Sequence, residues 1–114
     1  MTKEEEIYEL EQAIVEAEQI VKLADQLQEL KNNEAFKAVI IDGYIKHRAD
    51  YLFEQLTKPV TMQSISEEEL KDGLLSIRYL KSYLGFDGFK GTVELDGEAA
   101  KADIAYCEEH LHTI

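Results

Sequence analysis

The residue types that carry chemistry are sparse in this chain, and they fall in two places. The only metal-like spacing is Cys107, His110 and His112 in the run Cys-Glu-Glu-His-Leu-His. Cys107 and His110 stand three apart and can share a helical face, but His112 falls on another, and a closed zinc site takes four ligands. No fourth ligand is nearby, so no metal is assigned, and the histidines read as solvated groups at a helix end. The second place is His47, between Asp42 and Asp50 with Lys46 and Arg48 adjacent, from which a general base can be constructed. The chain offers no Gly-rich phosphate loop, no nucleophile elbow and no Cys beside a base. His47 is therefore expected to be a partly buried structural histidine, and the chain to be no enzyme and to need no cofactor. Cys107 is the single cysteine, so an intrachain disulfide is impossible and a reducing compartment is expected.

The elements that would position these residues are helices. In the first segment Ile7, Leu10, Ile14, Ala17, Val21 and Ala24 alternate three and four apart, and Ala13, Ile20 and Leu27 recur beside them, a wide apolar stripe. This predicts a helix over residues 3–31, with a Glu-rich first turn that suits the positive end of the helix dipole. Such a helix is roughly 43 Å long at ~1.5 Å per residue, against a radius of gyration of about 13 Å for a globule of this length. It must overhang its own domain or pack on another chain. Its small Ala17 and Ala24 favour a bundle edge over a committed coiled coil.

Residues 33–57 form the second predicted helix, capped at Asn32 or Asn33 and ended by Lys58-Pro59. The short connection predicts an antiparallel hairpin with the first helix. Ile41, Ile45, Leu52 and Leu56 make one apolar line; Phe36, Ile40, Tyr44, His47 and Tyr51 make a second, which suggests burial on both sides. Gly43 in its middle permits a close helix approach or a bend. The third helix, over 66–84, has the strongest local signal: Ser66-Glu67-Glu68-Glu69 reads as a capping box, Ile65 and Leu70 as its hydrophobic staple, and Gly85 as its stop. Its core face is Leu70, Leu74, Ile77, Leu80 and Leu84. Residues 85–97, with Gly85, Gly88, Gly91 and Gly97, fit a Gly-rich loop or a short hairpin, the loop being preferred. A final helix over 98–112 would bury Ala100, Ile104, Cys107 and Leu111. The expected fold is all-α: one domain over 1–114, a helical hairpin plus a third helix forming a small bundle, with the C-terminal helix capping it or projecting.

The chain has 114 residues with 45% hydrophobic and 32% charged side chains, which excludes global disorder, and no apolar run is long enough to span a membrane. Nothing near its start suggests export, so a cytosolic protein is expected. The net charge of −12 is uneven. Residues 1–34 carry ten acids against three lysines, and residues after 85 carry seven acids against two lysines, while the middle is balanced. No basic patch could replace phosphate counterions, so direct binding to nucleic acid or an anionic membrane is not expected.

The run from Leu27 to Tyr44, with its Asn-x-x-Phe-Lys-x-Val-Ile-x-x-Gly-Tyr stretch from Asn33, followed by Leu52 to Pro59 and by the helix Ile77-Arg78-Tyr79-Leu80-Lys81-Ser82-Tyr83-Leu84, resembles small helical proteins encoded among the virion-structure genes of tailed bacteriophages. The likeness covers residues 23–84 and leaves out the acidic N-terminal extension and the Gly-rich tail after Leu84. It implies a non-enzymatic phage protein made in the bacterial host cytoplasm and built into, or assembled beside, the virion head or head–tail region. It transfers no catalytic residue. On this reading the partners are copies of itself or other virion proteins, as a homo-oligomer or part of a larger assembly, and the interface residues are Ile7, Leu10, Ile14 and Val21 on the first helix with Phe86 and Phe89 after the third. A second reading is an acidic phage inhibitor that binds a host or defence protein at a nucleic-acid-binding surface. It requires the tertiary fold to gather both acidic ends on one face, because the first segment alone carries only about one net charge per 6 Å, against one per ~1.7 Å in duplex DNA.

Overall fold

The computed structural model describes residues 2–114, and every extended element among them is helical. Helix α1 spans Lys3–Lys31; the Thr2 hydroxyl accepts the Glu5 N–H at 3.1 Å and so caps its first turn. Helix α2 occupies residues 34–57 and is continuous but not uniform: Glu34–Phe36 is α-helical, Lys37–Arg48 is π-helical and Ala49–Thr57 is α-helical again. Asn33 Oδ1 caps it by accepting the Phe36 N–H at 2.9 Å, and the chain turns extended at Lys58 ahead of Pro59. A single 3-10 turn, Val60–Met62, leads to α3, Glu67–Leu84. Helix α4, Thr92–Thr113, closes the chain.

The arrangement differs from the expected bundle in which helix pairs with which. Helix α1 makes its main interhelical packing with α4 and little with α2. The two helices run antiparallel: Lys31 pairs with Glu94 at 2.5 Å, Gly97 lies against Ala24, and His110 Nε2 meets Glu6 at 3.3 Å. The result is a two-helix arm on a small head. The molecule measures 70 × 31 × 18 Å with a radius of gyration of 21.1 Å, well above the ~13 Å of a compact domain of this size. The long first helix thus projects from the head, with its own C-terminal helix packed along one side.

The physical basis of that pairing lies in the small residues. On α1 the residues more buried than their neighbours are Ile7, Leu10, Ile14, Ala17, Val21 and Ala24; on α4 they are Val93, Gly97, Ala100, Ile104, Cys107 and Leu111. Both lines alternate three and four, the seam of a two-stranded coil. Alanine and glycine within it let the backbones approach closely: a Cβ added to Gly97 would stand 2.6 Å from that of Ala24. Gly97 is therefore a contact inside α4, not the end of a loop, and α4 begins at Thr92 rather than at residue 98.

The head is one core to which all four helices contribute: Leu27 from α1, Ile45 and Leu52 from α2, Leu70, Ile77 and Leu84 from α3, and Val93 from α4. The two apolar lines of α2 do not face opposite sides. Phe36, Ile40, Ile41, Tyr44, Ala49 and Tyr51 all pack on this same core, because the wider i→i+5 turn of the π segment brings residues four and five apart onto one face. Two members of the expected lines are displaced outward: Leu56 is half exposed and His47 is exposed rather than partly buried.

Ser66 caps α3 as its sequence predicts, accepting the Glu69 N–H at 3.1 Å, although the return bond from the Glu69 carboxylate is not formed among the described residues. Replacing Ser66 by alanine is expected to lower stability by about 1 kcal/mol, measured by denaturant melts, with Ser66→Asp close to wild type. Gln55, 2% exposed, ties the 58–66 connection to the head: its side-chain oxygen accepts the Ser64 N–H at 2.9 Å.

Candidate interaction site

After α3 the chain reverses in seven residues, 85–91. Gly85 takes φ +81 and its N–H closes the helix on Lys81 O at 2.8 Å. Phe86 and Phe89 then exchange both backbone hydrogen bonds, 3.1 and 3.0 Å, around Asp87 and Gly88, which have φ of +50 and +85. This is the two-residue Asp-Gly hairpin turn, which requires positive φ at both central positions. The turn is closed by a single isolated bridge with no strand on either side, and Thr92-Val93-Glu94-Leu95, expected within the loop or hairpin of residues 85–97, is the first turn of α4.

The turn holds its two aromatic residues differently. Phe86 packs against the head core, and its ring is approached by two ammonium groups, Lys81 at 4.9 Å and Lys46 at 5.7 Å from the centroid. Phe89 is 82% exposed. Each side of the turn is concave. On the α1 and α2 side a cavity of about 600 Å³ is lined by Lys31, Lys37, Lys46 and Lys90, but every one of these has a carboxylate partner: Glu94, Glu34, Asp42 and Glu98 respectively. The Glu98 hydrogen bond, then its charge, raises the Lys90 pKa above the usual lysine value. That pair's contribution is complete below the pKa of an unfolded lysine and is lost only as pH rises through the raised value, so it is constant near neutrality.

The second groove, about 590 Å³, lies between α2 and α3 and is mainly apolar. Its floor includes Phe53, Leu74, Ile77 and Phe86, and its rim carries Arg78, Lys81 and Lys90 with no acidic residue in the lining. Arg78 and Lys81 make no ion pair among the described residues, and both are exposed, as is Phe53 at 57%. A basic-rimmed aromatic groove on a chain of net charge −12 is a local inversion of the surface.

The chain matches no protein-family model, and no curated protein or solved structure is significantly similar to it.

The remaining charge lies in the arm. Helix α1 carries nine acids against Lys3, Lys22 and Lys31, and α4 six acids against Lys101, so the arm holds −11 of the net −12. Along an arm of roughly 43 Å this is about one net charge per 4 Å, still sparser than duplex DNA. Because only two helices are present, part of the arm's apolar surface stays open: Val15, Ile20, Leu23 and Leu30 on α1, with Tyr8 at its tip and Tyr106 on α4.

Among the interface residues expected from sequence, Ile7, Leu10, Ile14 and Val21 lie half-buried along the seam with α4, Phe86 is partly buried in the head, and Phe89 is exposed. The exposed apolar residues of α1 flank that seam instead. The metal-like trio is not brought together: Cys107 is buried in the seam, His110 faces Glu6 and lies 5.9 Å from the Tyr106 ring, and His112 is exposed. Arg78 and Lys81 carried no binding signal of their own in the sequence. No helix among the described residues is long and apolar enough to cross a membrane.

Proposed function

We propose that this chain is a non-enzymatic bacteriophage structural or assembly protein that acts through helix-mediated protein–protein contacts in or near the virion head or head–tail region. The phage assignment rests on the resemblance over residues 23–84. The observation that supports an assembly role is the two-helix arm, which leaves Ile20, Leu23 and Leu30 more than two-fifths exposed on a helix whose seam is already occupied. Apolar side chains clustered on one element and bordered by charge mark protein contacts. The work of such a protein is to bridge: the head supplies one surface and the arm tip another. The test is a tagged full chain produced during infection by its own phage, with capsids, tails and assembly intermediates separated and analysed by mass spectrometry. Its presence at a fixed copy number in any of these is expected. Its absence from all of them would overturn the reading.

The acidic arm favours a second reading, an acidic phage inhibitor that occupies the nucleic-acid-binding surface of a host or defence protein. The antiparallel packing of α1 and α4 puts both acidic ends of the sequence in one arm, which supports this reading. It predicts salt-sensitive competition with DNA for a basic host protein; binding indifferent to salt and to DNA would count against it.

A further inference from the structure

We propose that the groove between α2 and α3 is the docking site for the arm tip of a second copy of this chain, so that copies join head to tail. The proposal rests on the assembly reading and names its partner. Three features point to this occupant. The groove rim is cationic, with Arg78 and Lys81 unpaired among the described residues and no acid in the lining, whereas the arm carries −11. The groove floor is aromatic and apolar, and the arm tip presents an exposed aromatic, Tyr8, at 63%. Finally, Tyr8 is bracketed on its own helical face by Glu4, Glu5 and Glu11, three or four residues away, so a ring entering beside Phe53 and Phe86 brings carboxylates to Arg78 and Lys81. Lys81 is already held over the Phe86 ring, which lowers the cost of fixing it for a carboxylate.

Docking one surface onto a different surface is heterologous and does not close on itself, so it builds open chains rather than a dimer. The groove takes an acidic, aromatic-bearing helix, and this chain presents one at the opposite end of a 70 Å body. Each copy in such a chain keeps a free head at one terminus and a free tip at the other.

The experiment is sedimentation equilibrium of the full chain over a wide concentration range. At ~0.1 M salt the mean mass should rise continuously above the 13.1 kDa monomer. At ~1 M salt, where the screening length falls from about 10 to about 3 Å, it should drop towards the monomer. A head variant, R78E with K81E, and a tip variant, Tyr8→Ala with E4Q and E5Q, should each associate at least about tenfold more weakly. Mixed in equal amounts, the two variants should form a one-to-one dimer and nothing larger, because the intact head of one receives the intact tip of the other. The tip variant lies on exposed residues far from the Phe86 turn, so it tests the contact even where the head variant disturbs that turn; circular dichroism checks both. A monomer at every concentration in low salt overturns the proposal, as does a closed, salt-resistant dimer that neither variant weakens. Either result leaves the particle analysis free to support the assembly reading, and absence from particles leaves this association standing alone.

Discussion

Replacing Leu52 by alanine is expected to cost about 2–5 kcal/mol, the range for truncating a buried leucine. Leu52 is fully buried at the centre of the head and lies among side chains from every helix in the core cluster. A domain of this size has about 5–15 kcal/mol of stability in total, so the variant should melt many degrees lower or be partly unfolded at 25 °C. The structure also specifies a rescue. A Cβ at Gly73 would stand 2.9 Å from Leu52 Cδ1 and 3.5 Å from Cδ2, so in the native protein it would crowd the tip of that side chain. With Leu52 truncated those atoms are gone, and a methyl at position 73 partly fills the space while removing the ~1 kcal/mol helix cost of glycine. Gly73→Ala should accordingly be close to neutral alone but restore about 1–2 kcal/mol in the Leu52→Ala background, measured by urea melts of the four proteins. An equal effect of Gly73→Ala in both backgrounds would show that the two residues do not share this space.

The second large effect is expected in the arm. Gly97→Leu places a branched side chain where even the first carbon would lie 2.6 Å from Ala24 Cβ, and both backbones are held by their own helices. Overpacking of this kind costs about 1–3 kcal/mol, and leucine stands at the upper end because no rotamer avoids the first carbon. A gentler pair isolates the contact. Ala24→Gly alone costs ~1 kcal/mol in helix propensity, and Gly97→Ala alone gains about as much while meeting the clash. Joined, they exchange which helix carries the methyl; the propensity terms cancel and the clash is absent. The double variant should therefore lie near wild type, with a coupling of about 1–3 kcal/mol between the two positions. Additive single effects would mean that the helices are not in contact at Gly97 in solution.

The lower stability of an opened arm also bears on function. Among the described residues no third helix packs along the arm, and the half-buried Ile7, Leu10 and Ile14 in the seam with α4 hold the acidic tip. An arm loosened at Gly97 should weaken head-to-tail association even though neither the groove nor Tyr8 is altered, because a frayed tip must be ordered before it docks.

Local signals in the sequence were strong enough to determine the elements. The Ser66 cap, the Asn33 cap, the Lys58-Pro59 stop and the apolar stripe of α1 each depend on neighbours within one or two turns, so α1, α2 and α3 fall within a residue of where the sequence places them. Asp87-Gly88 was also legible, as a dipeptide suited to positive φ at both central positions of a tight turn. The all-helical class and the acidic ends followed from the sequence as well, whereas of the two aromatics after Leu84 only Phe89 is exposed and Phe86 packs on the core.

The partners of those elements were decided only by the tertiary structure. The sequence paired α1 with α2 because a short connection favours neighbours, yet α1 chose α4, nearly the whole chain away, because alanine and glycine on both helices permit an approach that the bulky face of α2 does not. The same small residues looked like a weakness when α1 was read alone. The single face of α2 was likewise invisible to a 3.6-residue period, since it depends on a π segment whose wider turn realigns two stripes over the core. The groove is the clearest case: Phe53, Arg78 and Phe86 come from α2, α3 and the turn, each ordinary in its local context. Propensity and capping act over a few residues and can be read along the chain. Shape complementarity between distant faces, and the gathering of both acidic ends into one arm, exist only after the helices have packed.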